Sequence, residues 1–203
     1  NLGYKVILAS NGQDALGIFN AEKPTFVIID IILPKLDGYQ VCRKIRERSQ
    51  APIIILTALS KISNRIKGLE LGVDDYLVKP CSLKELELRS HSILKRSAAQ
   101  PQLLKRKKSH IFYSGNLIVD IERSQILKRN IQTKLTPIES NLLGLLIENS
   151  GVGLSRKTIL DNLWGYQPER YVDSRVVDVY ISRLRAKLED DPGRPNFILT
   201  VRG

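Results

Sequence analysis

The chain has 203 residues, enough for one large domain or two small ones and too many for a mini-protein. It carries 32 Lys and Arg against 21 Asp and Glu, a net charge of +11, and 42% of its residues are hydrophobic. This composition excludes a disordered chain, and the excess of positive charge favours contact with a polyanion such as nucleic acid. No run approaches the roughly 18 consecutive apolar residues that a membrane span requires, so we expect no membrane partner.

Two features of composition bear on the origin of the chain. Cys42 and Cys81 stand far apart without a CxxC spacing, which predicts reduced thiols rather than a disulfide or a zinc site. The sequence contains no Met and begins at Asn1, so we expect a piece cut from a longer protein.

Three short apolar runs in the first half of the chain predict buried strands, and a polar residue follows each of them at once. Helical patterns lie between the runs, so we expect a parallel α/β sheet. Such sheets hold their sites at the carboxyl ends of the strands, where the three polar side chains would converge. The runs and the residues that follow them are 26–29 with Asp30, 53–56 with Thr57, and 76–78 with Lys79.

Asp30 is the candidate reactive group at this edge. The turn residues Asp37-Gly38 follow it closely, so we expect the carboxylate to stay exposed, where it can attack phosphorus and hold a phosphoryl group. A phosphoryl group needs a cation, a hydroxyl donor and usually a divalent metal, and Lys79 and Thr57 fit the first two roles. The alternative is that Asp30 and Thr57 only cap helices and that Lys79 is a solvated charge.

The segments VIIDIILPKLDGYQVCRKIR, PIIILTA and LGVDDYLVKP resemble the receiver domain of two-component response regulators of the OmpR/PhoB class. That fold is a flavodoxin-like parallel sheet with helices on both faces. The resemblance implies that a sensor histidine kinase phosphorylates Asp30. It also implies that Thr57 is the switch hydroxyl, Tyr76 the switch aromatic and Lys79 the phosphate-binding lysine. The family further implies a cis bond before Pro80.

The sequence departs from the family at two places. The family's acidic pair, which follows the first strand and binds Mg²⁺, has no counterpart, so the resemblance implies Mg²⁺ as cofactor with Asp30 as the ligand that remains. Residues 3–8 resemble the end of the first helix and the second strand, so we expect the central first strand to be missing and its neighbours to be unpaired. Cys81 stands where Phe is usual, and we expect a small buried filler, with a redox sensor as the alternative.

Residues 64–89 carry opposite charges on what resembles the dimer face of this class. Opposite charges on a self-complementary face suit a two-fold interface. The alternative is a solvated face whose ion pairs contribute little. The resemblance implies a homodimer upon phosphorylation, with these pairs across the interface: Lys67 with Glu85, Asp75 with Arg89, and Asp74 with His91.

A stretch of small, Pro and basic residues at 97–110 predicts a linker, after which the pattern changes to short strands followed by helices. Thr136-Pro137 and Glu139 predict an N-cap, a first-turn proline and a capping box. A second helix is expected to open at Ser155 and a third to run from about Asp173 to about Glu189. The predicted strands are 117–119, 125–127 and 132–135.

The third helix carries a narrow apolar stripe on one side and mostly polar residues on the other. The stripe consists of Val177, Ile181, Leu184 and Leu188, and the remaining side includes Val176, Tyr180, Arg183, Arg185 and Lys187. Positive and hydrogen-bonding residues on a docked helix suit insertion into the DNA major groove. The alternative is a solvated basic face. Residues 197–203 predict a strand that enters a turn beside this helix.

LTPIE, LWGY, VDSRVVDVYISRLRAKLEDDP and ILTVRG resemble the α+β winged-helix effector domain of the same class, close to cyanobacterial and plastid-encoded algal regulators. By position, the resemblance implies base-edge contacts from Tyr180 and Arg183. The loop at 165–171 resembles the segment that contacts RNA polymerase in this class. The residues implied to contact phosphate are Arg175, Arg185, Thr200 and Arg202.

The sequence therefore predicts a receiver domain at 1–96, a linker at 97–110 and a winged-helix domain at 111–203, both domains being truncated. We expect a non-enzymatic, phosphorylation-controlled transcription factor that binds tandem half-sites in double-stranded promoter DNA. Its compartment would be a cyanobacterial cytoplasm or an algal plastid stroma. Two alternatives remain: a constitutive or architectural DNA-binding protein whose receiver serves only to dimerise, and an aspartyl phosphohydrolase. The phosphohydrolase is disfavoured because such enzymes commonly need a second Asp where Ile32 stands.

Overall fold

The computed structural model describes residues 3–58, 62–103, 111–164 and 174–201. The chain divides into two compact units, Asn1–Ser82 and Leu83–Gly203, each with its own sheet. Among the described helices, none is long and apolar enough to cross a membrane.

The first unit is built on a three-stranded parallel sheet of order β1-β2-β3. The three predicted strands are confirmed, and the central strand is buried from Ile53 to Ile55, as expected for a strand covered on both faces. Its elements are α1 (Gly12–Glu22), β1 (Val27–Asp30), α2 (Gly38–Arg46), β2 (Ile53–Thr57), α3 (Ile62–Glu70) and β3 (Asp75–Val78).

Helix α2 follows from its sequence. Asp37 forms a capping box with Gln40, which satisfies two backbone donors at the helix start. The residues that α2 buries include Val41, Cys42 and Ile45, which share one helical face. Burial raises the pKa of the Cys42 thiol to about 12. Both cysteines are free thiols, as predicted, although Cys81 is only partly buried and does not fill the core.

The predicted strand at residues 3–8 is wrong. Residues 3–9 form no strand, and Leu8 is 83% exposed. A strand forms only where a neighbour takes its backbone hydrogen bonds. The described sheet ends at β1, where Ile28 remains exposed, and residues 3–9 do not pair with that open edge.

Helix α1 has no counterpart among the helices that the sequence patterns predict. Its N-cap is Asn11, whose side chain accepts hydrogen bonds from the backbone N–H groups of Gln13 and Asp14. Asn is among the preferred N-cap residues, so the Asn11 signal is present in the sequence.

The described residues of the second unit form a four-stranded antiparallel sheet of order β4-β5-β6-β7 and four helices. The three predicted strands are confirmed within one residue, and β4 is an additional strand. Arg129 and Asn130 both have positive φ, the geometry of a tight two-residue hairpin between β6 and β7. The elements are α4 (Leu83–Leu103), β4 (Ile111–Ser114), β5 (Leu117–Asp120), β6 (Gln125–Lys128), β7 (Ile131–Lys134), α5 (Pro137–Glu148), α6 (Arg156–Trp164) and α7 (Arg175–Leu188).

The first half of the predicted linker is helical. Helix α4 continues through residues 97–103, where Ala98 and Ala99 favour a helix and Ser97 Oγ donates to the Ile93 carbonyl. Pro101 lies close to the end of α4, two residues before its last residue. Residues 104–110 lie outside the described residues.

The predicted helix starts in the second unit are confirmed where the structure describes them. Thr136 and Glu139 form the predicted capping box at the start of α5, with Pro137 in its first turn. Ser155 Oγ accepts from the Thr158 N–H at the start of α6. Helix α7 ends one residue before Glu189, and Asp173 lies outside the described residues.

Candidate functional site

The carboxyl edge of the parallel sheet brings together Asp30 and Lys79, as the sequence predicted. Asp30 ends β1 and Lys79 follows β3, and the Lys79 ammonium lies 2.5 Å from Asp30 Oδ2. The other oxygen, Oδ1, accepts from the Ile32 N–H at 3.0 Å. Asp30 is therefore a partly exposed carboxylate with a cation on one oxygen and a backbone donor on the other.

Thr57 lies on β2, the central strand, and Tyr76 lies on β3, the strand that Lys79 follows. Thr57 ends the central strand and is buried, and its carbonyl accepts from the Lys79 N–H at 2.7 Å. Tyr76 is buried within β3. The peptide bond before Pro80 is cis, as the resemblance implied.

The turn after β1 holds the Asp30 backbone against the start of α2. The Gly38 N–H donates to the Ile31 carbonyl at 2.9 Å. A Cβ atom at Gly38 would lie 2.2 Å from the Asp30 carbonyl oxygen, a distance that real Cβ contacts do not reach. Only glycine fits here, so the Asp37-Gly38 turn fixes the position of the carboxylate-bearing strand end.

The oxygen atoms at this edge do not by themselves supply the ligands that a magnesium ion needs. Receiver domains generally bind Mg²⁺ at the phosphorylation site. Mg²⁺ takes six oxygen ligands and is commonly held by one or two carboxylates. Within the described ranges, no three His, Cys, Asp or Glu side chains form a possible metal cluster, and both Asp30 oxygens already have hydrogen-bond donors.

The residues predicted to form a charged dimer face are placed differently. Asp74 is buried, and its Oδ2 accepts from the Ile53 N–H at 2.9 Å and from Arg46 at 3.0 Å. This placement contradicts the expected exposed pairing of Asp74 with His91, because a buried carboxylate keeps the partner that compensates its desolvation.

The other members of the predicted dimer face divide between buried and exposed positions. Asp75 and Arg89 are buried, and Arg89 Nη2 lies 2.8 Å from Glu85 Oε1 within the same helix. Lys67 is exposed, with its Nζ 4.7 Å from the centre of the Tyr39 ring. An exposed position was therefore wrong for Asp75 and Arg89.

Helix α7 buries a wider face than the predicted stripe. Val177, Leu184 and Leu188 are buried as expected, whereas Ile181 is only partly buried. Val176 and Tyr180 point inward instead.

The placement of Tyr180 on the exposed side of α7 is wrong. Its side chain is 0% exposed, and its ring centre lies 5.7 Å from that of Trp164 on α6. Aromatic pairs of this kind contribute to packing, and a globular helix commonly buries a face of 100° or more. Tyr180 is therefore a core residue in this fold and does not reach a base edge.

Arg183 is also turned away from the exposed side. Its side chain is 16% exposed, and its Nη2 lies 2.5 Å from Oε1 of the fully buried Glu139 on α5. Lys187 Nζ lies 2.6 Å from the other oxygen of the same carboxylate. This ion-paired cluster corrects the prediction that Arg183 contacts a base, because the guanidinium already neutralises a buried charge.

The cluster sets the charge state of Glu139. Burial alone would raise the pKa of this carboxyl, but the positive charges of Arg183 and Lys187 outweigh that effect and hold the pKa below its usual range. The sequence identified Glu139 as a capping residue and missed this second role.

The exposed side of α7 is polar. Arg175 is exposed, as predicted, and Asp178 accepts from Arg156 of α6, with Nε and Oδ1 3.0 Å apart. Ser182 is exposed one turn further along. Polar and charged side chains on an exposed helix face are of the kind that can contact a groove or a phosphate backbone.

Residues 196–200 lie beside the last turn of α7. Arg185 donates to the Ile198 carbonyl and to the exposed Thr200 hydroxyl. The predicted strand is wrong over the described residues 197–201, because the N–H groups of Phe197 and Ile198 donate to the Glu189 carboxylate and not to a neighbouring strand. Arg202 and the loop at 165–171 lie outside the described residues.

The first unit holds a strand-end carboxylate beside a lysine, and the second unit holds a helix with an exposed polar face. Residues 1–90 match the response regulator receiver domain, and residues 130–203 match the C-terminal domain of transcriptional regulatory proteins. The chain belongs to the response regulators of the OmpR/PhoB type, with a parallel-sheet receiver domain followed by a winged-helix effector domain.

Relatives and a solved structure agree with this assignment. The chain is 52% identical to the "Probable transcriptional regulator ycf27" of Porphyra purpurea, covering 100% of this chain and 83% of the relative. It is 53% identical to the protein of the same name from Galdieria sulphuraria, covering 100% and 79%. The solved structure of a mutant of RitR is similar with a TM-score of 0.77 and 26% identity, covering 98% of this chain and 86% of that one. The relatives are named as transcriptional regulators, which agrees with the prediction of a non-enzymatic protein.

Proposed function

We propose that this chain is a phosphorylation-controlled transcription factor in which Asp30 accepts a phosphoryl group from a sensor histidine kinase. The observation that carries the proposal is the 2.5 Å contact between Lys79 Nζ and Asp30 Oδ2 at the open edge of the sheet. A partly exposed carboxylate with an adjacent ammonium group combines a nucleophile with a cation that can stabilise developing phosphoryl charge.

The proposed transfer is a displacement at phosphorus. A carboxylate oxygen of Asp30 forms a new O–P bond, and the P–N bond to the kinase histidine breaks, so the imidazole leaves with its electron pair and takes up a proton. The Lys79 ammonium then pairs with the phosphoryl oxygens in place of the bare carboxylate. Thr57, at the end of the neighbouring strand, is the proposed hydroxyl donor to that group, and Tyr76 the aromatic that responds to it.

The second half of the proposal is that phosphorylation favours a homodimer that binds tandem half-sites in promoter DNA. The net charge of +11 and the exposed polar side of α7 support contact with DNA. The proposed phosphate contacts are Arg175, Thr200 and Arg202, with Arg185 beside Thr200. Contact with RNA polymerase through residues 165–171 and residence in a plastid stroma are further parts of the proposal. The likeness to the ycf27 transcriptional regulators of Porphyra purpurea and Galdieria sulphuraria supports a role in transcription.

Phosphorylation is tested by incubating the full chain with acetyl phosphate and measuring its intact mass, with Mg²⁺ and with a chelator in its place. We expect the mass of one phosphoryl group to be added to the wild-type chain and not to Asp30→Ala. A mass gain that occurs with Mg²⁺ and is lost with the chelator indicates that phosphorylation of Asp30 requires Mg²⁺ bound from solution.

A constitutive DNA-binding protein is the second candidate, and one observation favours it: in the described parts of the chain, no three His, Cys, Asp or Glu side chains form a group that could hold a metal ion. No mass gain under any condition, or a gain that survives Asp30→Ala, would contradict the phosphorylation proposal. Sequence-specific DNA binding that persists in that case would establish the second candidate.

A further inference from the structure

The carboxylate of Glu189, directly after α7, binds three consecutive backbone N–H groups. The donors are Asn196 to Oε2 at 2.8 Å, Phe197 to Oε1 at 3.0 Å and Ile198 to Oε1 at 2.9 Å. Glu189 is 4% exposed, so these charge-assisted hydrogen bonds are shielded from water. One side chain therefore satisfies the donors of a segment that has no strand partner over its described residues.

Arg185 binds the same segment through its acceptors. Its Nε and Nη2 lie 3.0 and 2.7 Å from the Ile198 carbonyl oxygen, and Nη2 lies 2.9 Å from Thr200 Oγ1. Arg185 and Glu189 are one helical turn apart, so they project from the same side of the chain. Glu189 therefore accepts hydrogen bonds from the N–H groups of the segment, and Arg185 donates to its carbonyl and hydroxyl oxygens.

This arrangement sets the orientation of residues 196–200, which we call the C-terminal segment. A regular strand is oriented by its ladder, but here the described segment is oriented by two side chains of the α7 end and by the buried Ile198. Phe197, Leu199 and Thr200 remain exposed. The exposed part of the segment is therefore positioned by the same helix that presents Arg175 and Ser182.

We propose that Glu189 is a positioning residue for DNA binding, which together with Arg185 fixes the C-terminal segment to α7 so that helix and segment meet the duplex as one surface. The inference rests on the proposed DNA-binding function. It also assigns Arg185 a role different from a free phosphate contact, because its guanidinium is engaged with Ile198 and Thr200.

The test uses the full chain and a duplex selected by the wild-type protein from a random pool, with poly(dI-dC) as the non-specific probe. Glu189→Gln keeps the shape but places an amide against backbone donors. Glu148→Gln makes the same charge change at the exposed end of α5 and is the matched control. We expect Glu189→Gln to bind the selected duplex about tenfold more weakly than Glu148→Gln, a difference of about 1.4 kcal/mol.

A double-mutant cycle with Thr200→Ala separates positioning from general destabilisation. If Glu189 acts by presenting the segment, Thr200→Ala costs less affinity in the Glu189→Gln background than in the wild type. Hydrogen exchange at the amides of 196–198 should also become faster in Glu189→Gln. Should that variant fail to fold, Arg185→Lys, which removes the forked contact and keeps the charge, is expected to show the same coupling with Thr200→Ala.

Equal affinity of Glu189→Gln and Glu148→Gln, or strictly additive losses in the cycle, would overturn the inference while leaving the proposed function intact. A selection in which the wild-type protein enriches no duplex would overturn the proposed DNA-binding function and this inference with it.

Discussion

Arg183 Nη2 on α7 and Glu139 Oε1 on α5 form an ion pair of 2.5 Å in which the carboxylate is wholly buried. The pair joins the helix with the exposed polar face to the helix beneath it. Removing the guanidinium leaves a buried charge with Lys187 as its remaining ion-pair partner in the described part of the chain.

Arg183→Ala is therefore expected to lower the free energy of unfolding of the second unit by about 3 kcal/mol, the range for breaking a buried pair. Urea unfolding of the full chain measures the change. Arg194→Ala, at an exposed position after α7, is the control and should change stability by less than about 0.5 kcal/mol. A variant of unchanged stability that loses only its preference among DNA sequences would show that Arg183 contacts a base.

The lowered pKa of Glu139 predicts a pH dependence of stability. Because the folded-state pKa lies below the unfolded one, the contribution of Glu139 is fully present above the unfolded pKa of about 4.3 and is lost as the pH falls through the folded pKa. We expect the stability difference between wild type and Glu139→Gln to shrink as the pH is lowered from about 7 to about 3. Denaturant unfolding at each pH gives both curves, and a difference that stays constant over this range would contradict the prediction.

Lys79 should be needed for phosphoryl transfer to Asp30. Lys79→Gln removes the cation 2.5 Å from the carboxylate, and loss of one group that stabilises developing charge typically slows a reaction about a hundredfold. The rate of mass gain with acetyl phosphate measures the effect. Lys5→Gln, which removes a solvated lysine of the same unit, should react at the wild-type rate. Equal rates for the two variants would remove Lys79 from the proposed mechanism.

Alanine substitutions at two glycines of the first unit are expected to change its stability in opposite directions. Gly38→Ala places a Cβ atom 2.2 Å from the Asp30 carbonyl oxygen, so the turn must open, and we expect a clear fall in the melting temperature. Gly17 lies within α1, and a Cβ atom added there would meet nothing within 4 Å, so Gly17→Ala should stabilise the unit by up to about 1 kcal/mol. Thermal unfolding followed by circular dichroism tests both, and a stable Gly38→Ala variant would show that the turn adapts.

The convergence of polar residues at the strand ends was predictable from the sequence, whereas the choice of residues that helix α7 buries was not. Asp30 and Lys79 converge because parallel strands end at a common edge, a rule that needs only strand order. For α7, the stripe Val177, Leu184 and Leu188 is compatible with burying either Ile181 or Tyr180, since both lie beside it on the helix. Tyr180 is the residue that is buried, because its ring packs against that of Trp164 on another helix.

Buried ion pairs were the other feature that the sequence did not reveal. Asp74 and Arg183 are charged residues that usually lie at a surface, so pattern alone places them outside. Their partners, Arg46 and Glu139, lie far away in the sequence and become neighbours only in the folded unit. Capping residues were easier to identify because a cap bonds within its own helical turn, as Thr136 does.

The rate at which the buried thiol of Cys42 reacts with an alkylating reagent reports how often the first unit opens locally. A thiol with a pKa of about 12 holds almost no thiolate at neutral pH, and its inaccessible sulfur cannot meet an alkylating reagent while α2 stays docked. Cys81 is partly exposed and can be labelled without such an opening. The time at which a second label appears on the chain therefore records how often α2 detaches from the sheet.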